Sequence, residues 1–137
     1  MNSTLIDANI LIDLFDDDSE WQGWSDAMLK TCRDRGPVVI NPIVFAEVAS
    51  GFDSLELMDK ILPESYLLRE PLPWGAAFLA GQAFRAYRRR GGDRRSPLPD
   101  FYIGAHAAVA GYSLLTRDPR RYRYYFPKLR IVSPQGL

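Results

Sequence analysis

The chain has 137 residues, enough for one ordinary domain and too few for two, and the expectation is a single domain over residues 1–137. With 47% apolar and 25% charged side chains it has globular composition, which excludes disorder. No stretch approaches the roughly 18 apolar residues of a membrane span, and no basic segment leads into an apolar core at the N-terminus, so a cytoplasmic location is expected.

The formal charge is zero, but it is unevenly spread: residues 1–84 carry 14 acids and 5 bases, residues 85–137 carry 3 acids and 12 bases. A basic second half suits a polyanion, with solvated helix faces as the alternative.

Residues 3–6 read as a buried strand that ends at Asp7, followed by a helix from about Asn9, which can cap it, to Phe15. After the acidic run Asp16–Asp18, the spacing of Trp21, Trp24, Met28 and Leu29 predicts a second helix from Ser19, ending at Gly36-Pro37. Cys32 is alone, so no intrachain disulfide forms, and it reads as a helix residue and not a reactive thiol. Val38–Ile40 is a second strand. Asn41-Pro42 starts a helix with a side-chain cap and a proline, and Glu47 lies at the flank of its apolar side. A helix over Ser54–Leu62 and a strand over Ser65–Arg69 follow.

Pro73-Trp74 opens a long helix whose buried line is expected to be Trp74, Ala77, Phe78, Gly81 and Phe84, stopping at Gly91-Gly92. Asp93 to Leu98 is a polar loop. Pro99 then introduces a helix on which Asp100, Ile103, Gly104 and Ala107 share one line, with small residues suited to packing on a sheet. His106 points away from Asp100 and reads as a packed or interface residue, as the three tryptophans do. Leu114–Thr116 is a fourth strand, Asp118-Pro119 starts a short helix, and Leu129–Val132 is an edge strand. Strands alternating with helices predict an α/β fold: a three-layer α/β/α domain with a mostly parallel sheet of four to five strands.

Four acids have comparable placement: Asp7 after the first strand, Glu47 on the helix after the second, Asp100 at a helix tip and Asp118 after the fourth strand. In a parallel sheet all four converge at one end, where ligands bind. Carboxylates brought so close repel strongly unless cations lie between them or their pKa values rise. Oxygen ligands without a Cys or His cluster favour Mg²⁺ or Mn²⁺, ions that activate water for attack on phosphorus. Thr116 and Asn9 are candidates to orient these groups, and Arg85, Arg88, Arg89, Arg90, Arg94, Arg95, Arg117, Arg120 and Arg121 to neutralise substrate phosphates. Each acid also has a plainer reading: Asp118 as a helix cap, Asp100 as a dipole partner and Glu47 as a rim ion pair, while Asp13, at helical spacing from Asn9, reads either as a support for the rim or, in preference, as a solvated helix acid.

Four stretches resemble PIN-domain nucleases, and among them the VapC-type toxins of toxin–antitoxin pairs. They are Leu5-Ile6-Asp7-Ala8-Asn9-Ile10-Leu11-Ile12-Asp13, then Asn41-Pro42-Ile43-Val44-Phe45-Ala46-Glu47-Val48, then Leu98-Pro99-Asp100-Phe101-Tyr102-Ile103-Gly104-Ala105-His106-Ala107, and Leu114-Leu115-Thr116-Arg117-Asp118-Pro119-Arg120-Arg121-Tyr122. The resemblance implies a metal-dependent endoribonuclease with Asp7, Glu47, Asp100 and Asp118 as its acidic quartet and Thr116 in support. It also implies a homodimer and an antitoxin partner that lays a helix into an apolar groove, for which Leu11, Leu14, Trp21 and Trp24 are candidates. The competing readings are a nuclease-like domain that binds RNA or a partner without cutting, a DNA nuclease of related fold, and a phosphatase or receiver-type domain. Against the last, Asn9 stands where a second aspartate is wanted.

Overall fold

A computed structural model describes residues 2–92 and 97–135. Five short strands form one sheet: β1 (Thr4–Ile6), β2 (Val38–Ile40), β3 (Leu67–Arg69), β4 (Ser113–Leu115) and β5 (Ile131–Val132). Their order is β3-β2-β1-β4-β5 and every pairing is parallel, Leu5 lying opposite Val39 on one side and Leu114 on the other. The first, second and fourth strands are apolar and buried along most of their length, as expected where helices cover both faces of a parallel sheet. The architecture is three-layer α/β/α.

Among the described residues seven helices accompany the strands: α1 (Ala8–Leu14), α2 (Gln22–Arg35), α3 (Pro42–Ala49), α4 (Leu55–Ile61), α5 (Trp74–Arg89), α6 (Leu98–Ala110) and α7 (Arg120–Tyr125). Local chemistry sets several starts. Asn41 Oδ1 accepts the Val44 N–H at 2.9 Å, and Ser54 Oγ accepts the Leu57 N–H at 3.0 Å, each satisfying a donor the helix itself cannot. Gly111, at φ 73°, ends α6 in the left-handed conformation that favours glycine. No helix among the described residues is long and apolar enough to cross a membrane.

Several expectations need correction. The first helix starts at Ala8 with Asp7 in the capping position, so Asn9 lies inside it and is not its cap. The second helix begins at Gln22 and not at Ser19, whose hydroxyl accepts the Trp21 N–H. Leu98 belongs to α6 and not to the preceding loop.

The largest difference is on α5. Its buried residues are Ala76, Ala80 and Ala83, while Trp74 is 91% and Phe78 70% exposed and Gly81 is exposed too. The α5–α6 pair is the most extensive helix contact in the molecule. Alanines allow the two backbones to approach, whereas the indole and phenyl rings would hold them apart. Gly104 differs similarly: a Cβ there would lie 2.6 Å from the Phe126 ring and 2.9 Å from that of Tyr122. Its missing side chain therefore seats aromatic rings from the region of α7, and not the sheet.

Candidate active site

The crevice beyond β1 and β4 is the topological switch point of the sheet, because the chain leaves β1 toward β2 on one side while β4 flanks it on the other. The Asp7 N–H donates to Leu115 O at 2.9 Å, which places the residues after the two strands side by side. A cavity of about 210 Å³ opens there, lined by Asp7, Glu47, Asp100 and Asp118 with Asn9, Ile12, Arg121 and Tyr122. All four sequence-selected acids thus meet in one cavity.

Asp7 is buried, and its Oδ2 is crowded with donors: the Thr116 hydroxyl at 2.8 Å, the Tyr122 hydroxyl at 2.9 Å and Asn9 Nδ2 at 3.4 Å. Thr116 also accepts the Asp118 N–H at 3.1 Å and lies 3.3 Å from Asn9 Nδ2, so one hydroxyl joins the segments after β1 and β4. Asn9 Oδ1 accepts the Arg117 N–H at 3.2 Å.

Glu47 projects from α3, and its Oε1 is the one buried carboxylate oxygen without a hydrogen-bond partner among the described residues. Burial, then the Asp7 and Asp100 charges, push its carboxyl from 4.5 to about 7. Burial first, followed by the Asp100 charge against opposing hydrogen bonds, pushes Asp7 from 3.8 to about 6. Both shifts mark a site short of positive charge.

Asp100 opens α6, where its Oδ2 accepts from Arg121 Nη1 at 2.8 Å and its Oδ1 lies 3.4 Å from the Tyr122 hydroxyl. That hydroxyl has a single proton, and the shorter contact is to Asp7. Asp118 sits at the rim with its side chain 65% exposed, 3.7 Å from Arg120 Nε. It makes no capping bond to α7, so the helix-cap reading fails.

Two side chains carry roles that the sequence did not signal. Tyr122 stands one turn beyond Asp118 and joins Asp7 to Asp100; its i+4 spacing was the available clue. Asp13 is buried, not solvated, and accepts from Ser19 Oγ (3.0 Å), Ser25 Oγ (2.7 Å) and Arg117 Nε (2.9 Å). Arg117 is therefore engaged as an internal counter-ion.

Arg85, Arg88 and Arg89 are exposed on the C-terminal half of α5, Arg120 is exposed on α7, and Arg94 and Arg95 lie outside the described residues. Cys32 is buried, and that burial pushes its thiol up, away from reactivity.

His106 is packed, as its position predicted. Because Asn41 Oδ1 caps α3, its Nδ2 must donate to His106 Nδ1 at 3.0 Å, which assigns the proton of the neutral ring to Nε2, 3.4 Å from Glu70. This contact ties the start of α3, which carries Glu47, to the middle of α6, which carries Asp100.

The donor set is all oxygen, as a hard cation requires. Among the described residues, no three carboxylate, imidazole or thiol groups are gathered as they stand closely enough to hold an ion. Neighbouring side chains account for this: Tyr122 lies between Asp7 and Asp100, and Arg121 already neutralises one oxygen of Asp100. The requirement for Mg²⁺ is smaller, since it is commonly held by one or two carboxylates and keeps several waters. The Asp7 carboxylate and the unpartnered Glu47 Oε1 belong to residues that line the same cavity and are the groups that fit this smaller requirement.

The PIN domain family model matches residues 4–127. The chain belongs to the PIN domain family. No curated protein sequence matches it significantly. Among solved structures this PIN domain is similar to VapBC2 of Rickettsia felis bound to a promoter DNA fragment, at TM-score 0.73 and 17% identity over 97% of this chain and 99% of that one. It is also similar to DNA-bound VapBC of Salmonella typhimurium, at TM-score 0.71 and 23% identity over 97% and 98%. A third is VapC20 of Mycobacterium tuberculosis, a sarcin–ricin loop cleaving toxin, at TM-score 0.66 and 16% identity over 93% and 98%. At these identities the likeness establishes the shared fold.

Proposed function

We propose that this PIN domain is an endoribonuclease dependent on Mg²⁺ or Mn²⁺, and the toxin of a VapBC-type pair. The observation that carries the reading is the convergence of Asp7, Glu47, Asp100 and Asp118 on one cavity, two of them with raised pKa values and one with an orphaned oxygen. Asp7 and Glu47 would hold the ion, with Asp100 beside them and Asp118 at the rim. A bound ion supplies Lewis acidity toward water and the phosphate oxygens. The chain's own groups do the positioning: Thr116, Tyr122 and Asn9 fix the Asp7 carboxylate by its Oδ2. Arg121 is placed to meet a phosphate at the cavity mouth.

The partners follow from exposed apolar surface. Ile12, which lines the acidic cavity, and Phe15, edge-on to Phe52 at 5.5 Å, are both exposed and offer an antitoxin segment a footing next to the site. Leu11, by contrast, is wholly buried and unavailable. The outward rings of Trp74 and Phe78 suit a second copy of the chain.

The test is cleavage of RNA and of DNA with Mg²⁺ or Mn²⁺. RNA is expected to be cut, with loss of activity in Asp7→Asn and Asp100→Asn. Equal rates in chelator would rule out the chemistry, and metal-independent RNA binding without cleavage would favour a binding module.

A further inference from the structure

A second cleft, of about 420 Å³, lies between the end of α5 and α7, and its lining includes Tyr87, Arg90, Arg120, Arg121, Tyr124 and Tyr125. Its volume falls in the roughly 300–1,000 Å³ range of small-ligand sites. Arg121 lines this cleft and the acidic cavity alike, so the two lie on either side of one side chain. No acid is among its described lining residues, and three guanidinium groups border it: Arg90, which donates to the Tyr125 hydroxyl at 3.3 Å, Arg120, 3.7 Å from Asp118, and Arg121, paired with Asp100.

Tyr124 is 61% exposed and stands outside the core aromatic cluster of Tyr87, Phe101 and Tyr125. The Arg90 guanidinium lies 4.1 Å from its ring centre, and Tyr125 meets it edge-on at 4.8 Å. These contacts hold the ring still while leaving much of it open. The bare backbone at Gly92 is explained internally, because a Cβ there would strike the Tyr87 ring, so the case rests on the arginines and Tyr124.

We propose that this cleft is a nucleotide subsite for the substrate strand. An unstacked base lies against Tyr124 and the Arg90 guanidinium, its phosphate meets Arg120, and Arg121 passes the strand into the acidic cavity. The inference rests on the nuclease reading and specifies that the strand is unpaired at this nucleotide, since a paired and stacked base cannot present its face to a tyrosine.

The test is binding of fluorescein-labelled oligoadenylate in chelator, where nothing is cut, followed by anisotropy. Loss of one base-stacking contact predicts that Tyr124→Ala binds roughly 5- to 150-fold more weakly, while Tyr124→Phe retains affinity. An abasic nucleotide scanned along the probe should weaken wild-type binding at one position and leave Tyr124→Ala unaffected there. Arg120→Gln should reduce the slope of log affinity against log salt by about 0.7, the value for one phosphate on a single strand, and Tyr124→Ala should leave that slope unchanged. Binding indifferent to Tyr124, or abasic effects that add to its removal at every position, would overturn the subsite while the nuclease reading stands. Absence of any binding by the wild-type chain would overturn both.

Discussion

Replacing Asp7 by Asn separates the acidic cavity's effect on folding from its chemistry. Burial and the Asp100 charge push the Asp7 carboxyl from 3.8 to about 6. A native pKa above the unfolded value means that the folded chain binds the proton more tightly. The resulting stabilisation is complete below about pH 4 and is lost as the pH rises through about 6. A shift of roughly two pH units corresponds to about 3 kcal/mol between those limits. Asp7 is buried, so solvent screening does not reduce this figure, although coupling to Glu47 makes it an upper value. Asparagine reproduces the neutral carboxyl, and its carbonyl can still accept from Thr116, Tyr122 and Asn9. In chelator, Asp7→Asn and wild type are therefore expected to unfold alike near about pH 4. Near about pH 8 the variant should be more stable, by up to about 3 kcal/mol or on the order of 10 °C. Urea or thermal unfolding followed by circular dichroism across this range reads the difference, in which groups that do not interact with Asp7 cancel. Mg²⁺ at the higher pH should close the gap by raising wild type alone. A variant less stable than wild type near pH 8, or a difference that does not change with pH, would refute the burial argument.

Gly104→Ala should cost about 1–3 kcal/mol by pushing α6 away from the Phe126 and Tyr122 rings. The same displacement moves the Tyr122 hydroxyl off Asp7, so calorimetric Mn²⁺ affinity should fall with stability; a variant unchanged in both would show that this contact is slack. Arg117→Ala removes the cation from buried Asp13. Because the guanidinium is about a third exposed, the cost should be about 2 kcal/mol, below that of a fully buried pair, with RNA affinity unchanged. A loss of RNA binding without loss of stability in urea would reverse that assignment. For the proposed dimer, wild type should sediment as a dimer and Trp74→Lys combined with Phe78→Lys as a monomer, with the monomer's melting unaltered; a monomeric wild type would refute the dimer, and a dimer persisting in the variant would place the interface elsewhere.

What was legible in the sequence depended on whether the relevant signal was local. Asp7, Glu47, Asp100 and Asp118 each sit just past a strand or within the first turns of a helix, and those boundaries are marked by neighbouring residues such as Asn41-Pro42 and Pro99. The convergence of the acids then follows from parallel strands alone. The Tyr122 to Asp7 bond spans 115 positions and the Arg117 to Asp13 bond 104, and no periodicity encodes such a meeting. Asp13 was misread for this reason, since its spacing places it on a helix face but says nothing of an arginine arriving from the far end of the chain. On α5 the difficulty was different. The helix carries two apolar stripes, one of alanines at 76, 80 and 83 and one of large rings at 74 and 78, and hydrophobic periodicity weights the rings more heavily. Close approach of two helices selects the small stripe instead, because separation is set by side-chain size and not by hydrophobicity. The rings displaced to the outside are then unexplained by this chain's own core, and an exposed indole beside an exposed phenyl ring is the residue of that choice. A helix with one small and one large apolar stripe therefore points to two packing partners, the nearer within the molecule and the other beyond it.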